Sequence, residues 1–178
     1  FGLPANYKDI ETISKEFDLL LLEDAAQSFG ATINNKKTCS FGNIAATSFF
    51  PAKPLGCYGD GGAIFTNDDV LADKIKSIRI HGMGKNKYTN IRLGINGRLD
   101  TIQASILLEK IKIFDNELIR RNEIAKIFKK SFNNKFTTQL IPENYVSSWA
   151  QFSILAKDEK QRDFVQKCLI EDNIPSVI

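Results

Sequence analysis

Between Tyr7 and Phe17, the apolar residues Ile10, Ile13 and Phe17 recur three and four positions apart, with Asp9, Glu11, Ser14 and Lys15 among them. That spacing predicts a short amphipathic helix. The period then changes. Asp18-Leu19-Leu20-Leu21-Leu22-Glu23-Asp24 is a continuous apolar run closed by carboxylates. Its length and flanks predict a strand buried on both faces, as in parallel sheets covered by helices, although leucine favours helix by propensity. Ala45 to Phe50 predicts a second strand stopped by Pro51, and Ala63 to Thr66 a third. The loop between them carries Gly56, Gly59, Gly61 and Gly62, which permit tight turns or close approach of backbone. Asn67 stands where it caps a helix running to about Ile78, with Asp68 and Asp69 well placed against the helix dipole.

From His81 to Arg98 the chain is polar, glycine-bearing and without a clear period. Asp100 then opens a long helical pattern. Leu107, Ile111, Phe114, Leu118, Ala125 and Phe128 keep a mostly three-to-four spacing to about Phe132, and Gln103 stands at the capping-box position. A helix of this length is able to bridge two domains. Beyond it, Trp149 to Ala156 predicts a strand, Asp158 to Asp172 a helix, and Ile174 onward the start of another strand. The pattern predicts an α/β architecture with a boundary near Phe114, dividing the chain into residues 1–114 and 115–178.

Composition narrows the function classes. Of 178 residues, 43% are hydrophobic and 25% charged, which is ordinary globular usage. The net charge is +3. The densest basic stretch (Arg120, Arg121, Lys126, Lys129, Lys130) lies on the long helical pattern beside Glu123 and reads as a solvated helix face, so no nucleic-acid partner is expected. The longest aliphatic run, Leu19 to Leu22, is far short of the ~20 residues of a membrane span. Cys39, Cys57 and Cys168 are odd in number and never at C-x-x-C spacing, which predicts free thiols in a reducing compartment, the cytoplasm. His81 is the single histidine, so a zinc site built on a histidine pair is excluded and no metal is expected. The leading Phe1, the lone Met83 and the apolar ending Pro175-Ser176-Val177-Ile178 suggest an internal piece of a longer protein.

The sequence has no G-x-x-x-x-G-K-[ST] or G-x-G-x-x-G phosphate loop and no G-x-S-x-G elbow. What stands out instead is polar residues at strand ends, where ligands of open α/β sheets bind. Asp24 follows the leucine run, and its alternative role is to cap a following helix. Ser48 lies near the end of its strand, either as a donor to a phosphate or as a satisfied core hydroxyl. Lys53 sits between Ala52 and Pro54, just past the strand and ahead of the glycine loop. A lysine held on such a short loop, once desolvated, is a nucleophile suited to a Schiff base; the ordinary alternative is a solvated surface lysine.

In order along the chain come Glu23-Asp24-Ala25-Ala26-Gln27-Ser28, Ser48-Phe49-Phe50-Pro51-Ala52-Lys53-Pro54-Leu55-Gly56 and Gly59-Asp60-Gly61-Gly62-Ala63. Arg79-Ile80-His81-Gly82, Gly94-Ile95-Asn96-Gly97-Arg98-Leu99-Asp100 and Gln103-Ala104 follow. This series resembles the DegT/DnrJ/StrS family of pyridoxal-phosphate-dependent sugar aminotransferases. The resemblance implies part of a fold-type-I large domain, a mostly parallel sheet with helices on both faces, followed by an incomplete α+β small domain.

It implies roles as well. Lys53 resembles the lysine that bonds to pyridoxal 5′-phosphate and later moves the proton. Asp24 resembles the acid paired with the pyridine nitrogen, and Gln27 the residue against the ring. Ser48 resembles a donor to the cofactor phosphate. Asn96 resembles the residue that reaches the phosphate of the neighbouring subunit in a homodimer with a shared active site. His81 lies where the family lines its substrate side, though a satisfied loop histidine is an equal reading. Gly97 departs from the aromatic or polar residue often found there. The stretch from Gly94 to Asp100 is similar to members that aminate UDP-linked 3-keto-uronic acids for surface polysaccharides. The presence of Lys53 argues against the dehydrating branch, which lacks that lysine. Two other classes stay open: a non-catalytic assembly partner, and a plain nucleotide-sugar-binding α/β domain.

Overall fold

A computed structural model describes residues 1–132 and 135–178. In chain order the elements are α1 (Tyr7–Glu16), β1 (Leu22–Asp24), β2 (Thr32–Ile33), β3 (Lys36–Lys37), β4 (Ile44–Ser48), β5 (Gly62–Phe65), α2 (Asp69–Arg79), α3 (Thr101–Phe132), β6 (Thr137–Thr138), β7 (Tyr145–Val146), β8 (Ile154–Leu155) and α4 (Glu159–Glu171).

The sheet that organises the chain has the order β1-β4-β5. β1 and β4 run parallel, with Asp24 opposite Ala46, while β5 returns antiparallel, with Gly62 opposite Ser48. Side chains alternate between faces along a strand. Glu23, Ala45 and Thr47 therefore share the buried face, and Asp24, Ala46 and Ser48 share the other.

The long helix packs at the Phe49 end of that buried face. Leu107, Phe114 and Leu118 of α3 pack with Phe49, Leu55 and Cys57, and Phe29, Ala63 and Leu99 close around them. The Phe29 ring meets Phe49 edge-on at 5.9 Å and Phe114 at 5.7 Å. Burying each such side chain contributes roughly 1.5–3 kcal/mol.

The leucine run differs from its expectation. The strand is only Leu22–Asp24, and Leu19, Leu20 and Leu22 are exposed, Leu20 at 85%. β1 is an edge strand, and among the described residues the core lies on one face of its sheet only, so continuous hydrophobicity here does not mean burial on both faces. The backbone of Leu21 is still held in line: its N–H donates to Asn43 Oδ1 at 2.8 Å, and its carbonyl accepts from the Asn43 amide at 2.9 Å.

Other local expectations shift by a residue or change partner. Asp68, not Asn67, caps α2, accepting from the amides of Val70 and Leu71. The Thr66 hydroxyl accepts from the Asp68 amide and sets that register. Gln103 closes no capping box, because its Oε1 accepts from the Tyr58 amide at 2.8 Å. The basic stretch of α3 is only partly solvated: Arg120 pairs with Glu123 at the surface, while Arg121 and Lys129 bond to backbone carbonyls.

The predicted strand over Trp149 to Ala156 shrinks to Ile154–Leu155, because the residues before it are tied to α3 and Trp149 adopts a left-handed φ of 47°. Ile174 onward forms no strand. α4 forms nearly as expected, capped by Asp158. β7 pairs back to β2, Ile33 against Tyr145, which stitches the later part of the chain to the first.

Candidate active site

Parallel pairing puts the carboxyl ends of β1 and β4 at the same end of the sheet, with Asp24 at one and Ser48 at the other. After Asp24 the chain turns instead of starting a helix. Asp24 Oδ1 accepts from the Ala26 amide at 2.9 Å, a side-chain-closed turn. The residue is exposed, so the carboxylate is accessible to a ligand. The turn brings Gln27 round to face the loop that follows β4. There Lys53 Nζ donates to Gln27 Oε1 at 3.2 Å.

That loop has a rigid frame. The Phe50 amide donates to Ser48 Oγ at 3.2 Å, and the Lys53 amide donates to the Phe50 carbonyl at 2.8 Å. At its base, the Cys57 amide donates to the Phe49 carbonyl, and the Cys57 thiol, fully buried, donates to the carbonyls of Phe49 and Gly59. A Cβ on Gly56 would stand 2.5 Å from the Pro51 carbonyl oxygen, so only glycine lets the loop close this tightly.

Polar residues on the packing stripe of α3 then grip the loop. Gln103 takes the Tyr58 amide, Lys110 Nζ donates to the Gly56 carbonyl, and Arg121 Nη2 donates to the Pro54 carbonyl at 3.1 Å.

A second wall comes from residues 147–149. Ser147 and Ser148 are fully buried. Ser148 Oγ donates to the Gln27 carbonyl at 2.9 Å, and Asn122 bonds both to the Ser147 carbonyl and to Trp149 Nε1. Sequence reasoning missed this wall and the α3 grip. A signal was present: Gln103, Lys110 and Arg121 fall on the same helical face as Leu107, Phe114 and Leu118, where polar residues call for buried partners.

Behind Asp24 lies a buried carboxylate. Glu23 accepts from the amides of Cys39 at 2.8 Å and Phe41 at 3.0 Å. Burial first, and then the Glu23 charge, push the Cys39 thiol up to about 12. The same two causes, led by burial, raise the Tyr7 hydroxyl above its ordinary range.

Two candidates stand elsewhere. His81 is exposed, with a left-handed φ of 56°, and its amide donates to the Ile95 carbonyl. Asn96 is exposed opposite Ile80 and accepts from Arg98 Nε at 3.0 Å. Both belong to the irregular segment folded against the end of α2, and neither is hydrogen-bonded to Lys53, Gln27, Asp24 or Ser48. An open groove of about 1180 Å³ runs between β4, β5 and α2, lined by Ile44, Ile64, Leu71 and Ile75 among others, and does not include Lys53. Its lining is mostly apolar and includes none of Asp24, Gln27, Ser48 and Lys53.

The donors suit a compact ligand that carries a carbonyl, a basic ring nitrogen and a phosphate. Lys53 offers an amine, and Asp24 a carboxylate. Ser48, whose oxygen already accepts one bond, keeps its own proton to donate. Among the described residues no three His, Cys, Asp or Glu side chains gather as a metal site, and no helix is long and apolar enough to cross a membrane.

Comparison with known proteins points the same way. The model of the DegT/DnrJ/EryC1/StrS aminotransferase family matches residues 1–178. The UDP-2-acetamido-2-deoxy-3-oxo-D-glucuronate aminotransferase of Pseudomonas aeruginosa is 42% identical, over 100% of this chain and 49% of its own length. A DegT/DnrJ/EryC1/StrS aminotransferase from Brucella abortus superposes with a TM-score of 0.95 at 46% identity, covering 99% of this chain and 47% of that one. The Escherichia coli GDP-4-keto-6-deoxy-D-mannose-3-dehydratase, solved with bound hydrated pyridoxal phosphate, superposes at 0.81 with 25% identity, over 98% of this chain and 50% of its own. The chain spans about half the length of the curated relatives it matches.

Proposed function

Because the chain belongs to the DegT/DnrJ/EryC1/StrS aminotransferase family, we propose that it holds the lysine side of a pyridoxal 5′-phosphate site in a protein that transfers an amino group, with L-glutamate as donor, to a nucleotide-linked keto sugar. The observation that carries this reading is Lys53 Nζ beside Gln27 Oε1, framed by Asp24 and Ser48 at the ends of two parallel strands.

Each residue has a role in keeping with its contacts. Pyridoxal phosphate, when bound, supplies an electron-withdrawing ring. The Asp24 carboxylate keeps a proton on the ring nitrogen. The Ser48 hydroxyl donates to the phosphate. Lys53 holds the cofactor through its amine and then carries a proton to and from the substrate carbon. Gln27 orients the Lys53 amine. The acceptor we favour is a UDP-linked 3-keto-uronic acid, destined for surface polysaccharide or lipopolysaccharide, supported by the 42% identity to the glucuronate aminotransferase.

Asn96, exposed and held away from the Lys53 loop by its contacts with Ile80 and Arg98, fits a role across a homodimer, reaching the phosphate in the second copy. His81, on the same exposed segment, fits the substrate side. We read residues 1–114 as large-domain structure and 115–178 as the linking helix and small domain. The free thiols of Cys39, Cys57 and Cys168 fit the cytoplasm.

The test is incubation with pyridoxal 5′-phosphate. A visible absorption band, reducible by borohydride and mapped to Lys53, is expected. Absence of the band, or its persistence in Lys53→Ala, would overturn the assignment. UDP-sugar binding without any coloured adduct would favour a nucleotide-sugar-binding domain instead.

A further inference from the structure

We propose that Arg121 is the positioning residue of Lys53, acting through a closed ring of hydrogen bonds. The inference rests on the reading of Lys53 as the cofactor-binding lysine. Arg121 Nη2 donates to the Pro54 carbonyl at 3.1 Å, and Nη1 to the Ser148 carbonyl at 3.4 Å. Ser148 Oγ donates to the Gln27 carbonyl at 2.9 Å. Lys53 Nζ donates to Gln27 Oε1 at 3.2 Å, and Pro54 follows Lys53 in the chain, which closes the ring.

The ring joins three segments that are remote in sequence, and Arg121 is where they meet on α3. One end of its fork fixes the loop that carries Lys53. The other fixes the wall that carries the acceptor of Lys53. One planar group therefore ties the loop that carries the amine to the wall beside its acceptor, a wall whose Ser148 amide also donates to the Gly2 carbonyl at 2.9 Å. A guanidinium suits this task because two of its N–H donors diverge in a fixed plane, whereas a lysine offers one point charge.

The surroundings single it out further. Its neighbour Arg120 makes a surface ion pair with Glu123. Arg121 is half-buried and, among the described residues, its hydrogen-bond partners are carbonyls. Holding a cation there costs desolvation with no carboxylate to offset it, and what the protein gains is geometry. Asn122 braces Ser148 from both sides, through the Ser147 carbonyl and Trp149 Nε1.

The test uses the protein as its gene encodes it, with pyridoxal 5′-phosphate as the probe. Two quantities are read: the rate at which a borohydride-reducible adduct forms on Lys53, and amide hydrogen exchange across residues 54–58 and 147–149 before cofactor is added. Arg121→Met is expected to form the adduct about 10- to 100-fold more slowly, since small misplacements of a reacting group cost rates of that order. Exchange should quicken in both segments, and Arg121→Lys should recover part of the rate. A wild-type rate in Arg121→Met overturns the positioning role and leaves the functional reading intact, even if the melting temperature falls, because a merely structural arginine would move only the melting temperature. If the wild type forms no adduct, the functional reading and this role fall together. Should Arg121→Met not fold, Ser148→Ala breaks the same ring: slowed adduct formation in a folded variant supports the role, and an unchanged rate overturns it.

Discussion

Lys53 Nζ lies 3.2 Å from Gln27 Oε1, and this bond spans 26 residues of sequence between the turn after one strand and the loop after its parallel neighbour. It is the one side-chain bond of the lysine amine among the described residues, so Gln27 decides where the amine points. A hydrogen bond to a charged donor contributes about 1.5–3 kcal/mol when buried and less when half-exposed. Gln27→Leu should weaken retention of the Lys53 adduct about 5- to 30-fold while leaving the melting temperature close to wild type. Equilibrium titration with pyridoxal phosphate, alongside a thermal melt, measures both; unchanged retention would show that the amide does not orient the amine.

Asp24 separates a structural from a chemical role. Its Oδ1 caps the Ala26 amide, a task an asparagine oxygen performs equally well. Asp24→Asn should therefore fold with nearly native stability, yet lose about 10²-fold or more in amino transfer, the scale seen when one preorganised electrostatic group is removed. Asp24→Ala should lose the turn-closing bond as well, at a cost of about 1 kcal/mol. A transamination assay and a urea melt on the two variants distinguish the roles. Asparagine retaining full activity would remove Asp24 from the chemistry.

The strand-end positions of Asp24, Ser48 and Lys53 were legible because the carboxylates closing the leucine run and the Pro51 stop are local signals. Their roles were not: local pattern left a capping aspartate, a core hydroxyl and a surface lysine open, and only the resemblance of the ordered motifs chose between them. The Arg121–Ser148 tie was not legible. It depends on how α3 lies across two loops 67 and 27 residues away from Arg121, information that no local window holds. The leucine run misled for a related reason: a period test reads hydrophobicity, while burial depends on which layers meet the strand. Asn67 and Asp68 are both good cappers, and the Thr66 hydroxyl that accepts from the Asp68 amide is itself fixed by donating to the Asn43 carbonyl at 2.8 Å, a tertiary contact.

The Tyr7, Glu23 and Cys39 cluster predicts alkaline sensitivity. The Cys39 thiol is raised from an ordinary value of 9.0 to about 12, chiefly by burial and then by the Glu23 charge. The folded state therefore favours the protonated thiol more than the unfolded state does. Its contribution is fully present below pH 9 and is lost as pH rises from 9 towards about 12. Tyr7, raised in the same sense, adds to the loss at the upper end. Urea midpoints taken across this range should fall with pH, and the fall should be shallower in Cys39→Ala. An equal slope in the variant would remove Cys39 from the linkage.

Two glycines provide the sharpest contrast between fold and site. A methyl on Gly56 would meet the Pro51 oxygen at 2.5 Å and the Phe50 oxygen at 2.7 Å. Both are backbone atoms of the loop that presents Lys53, so relief must come from moving the loop itself. A displacement near 1 Å in a reacting group costs about 10²-fold in rate. Gly56→Ala should therefore slow Lys53 adduct formation by that order. Gly82, at φ 73°, would bring a methyl to 1.8 Å from the Arg92 oxygen, in the segment that carries His81 and Asn96. Strain at such a position costs on the order of 1–3 kcal/mol, and it falls on a segment with no hydrogen bond to the Lys53 loop among the described residues. Gly82→Ala should thus lower the melting temperature and, acting through Asn96 rather than through the Lys53 loop, slow adduct formation much less than Gly56→Ala does. Borohydride trapping followed by peptide mapping on both variants reads the difference. Equal slowing in the two would mean that the Lys53 loop and the 81–98 segment are mechanically one body.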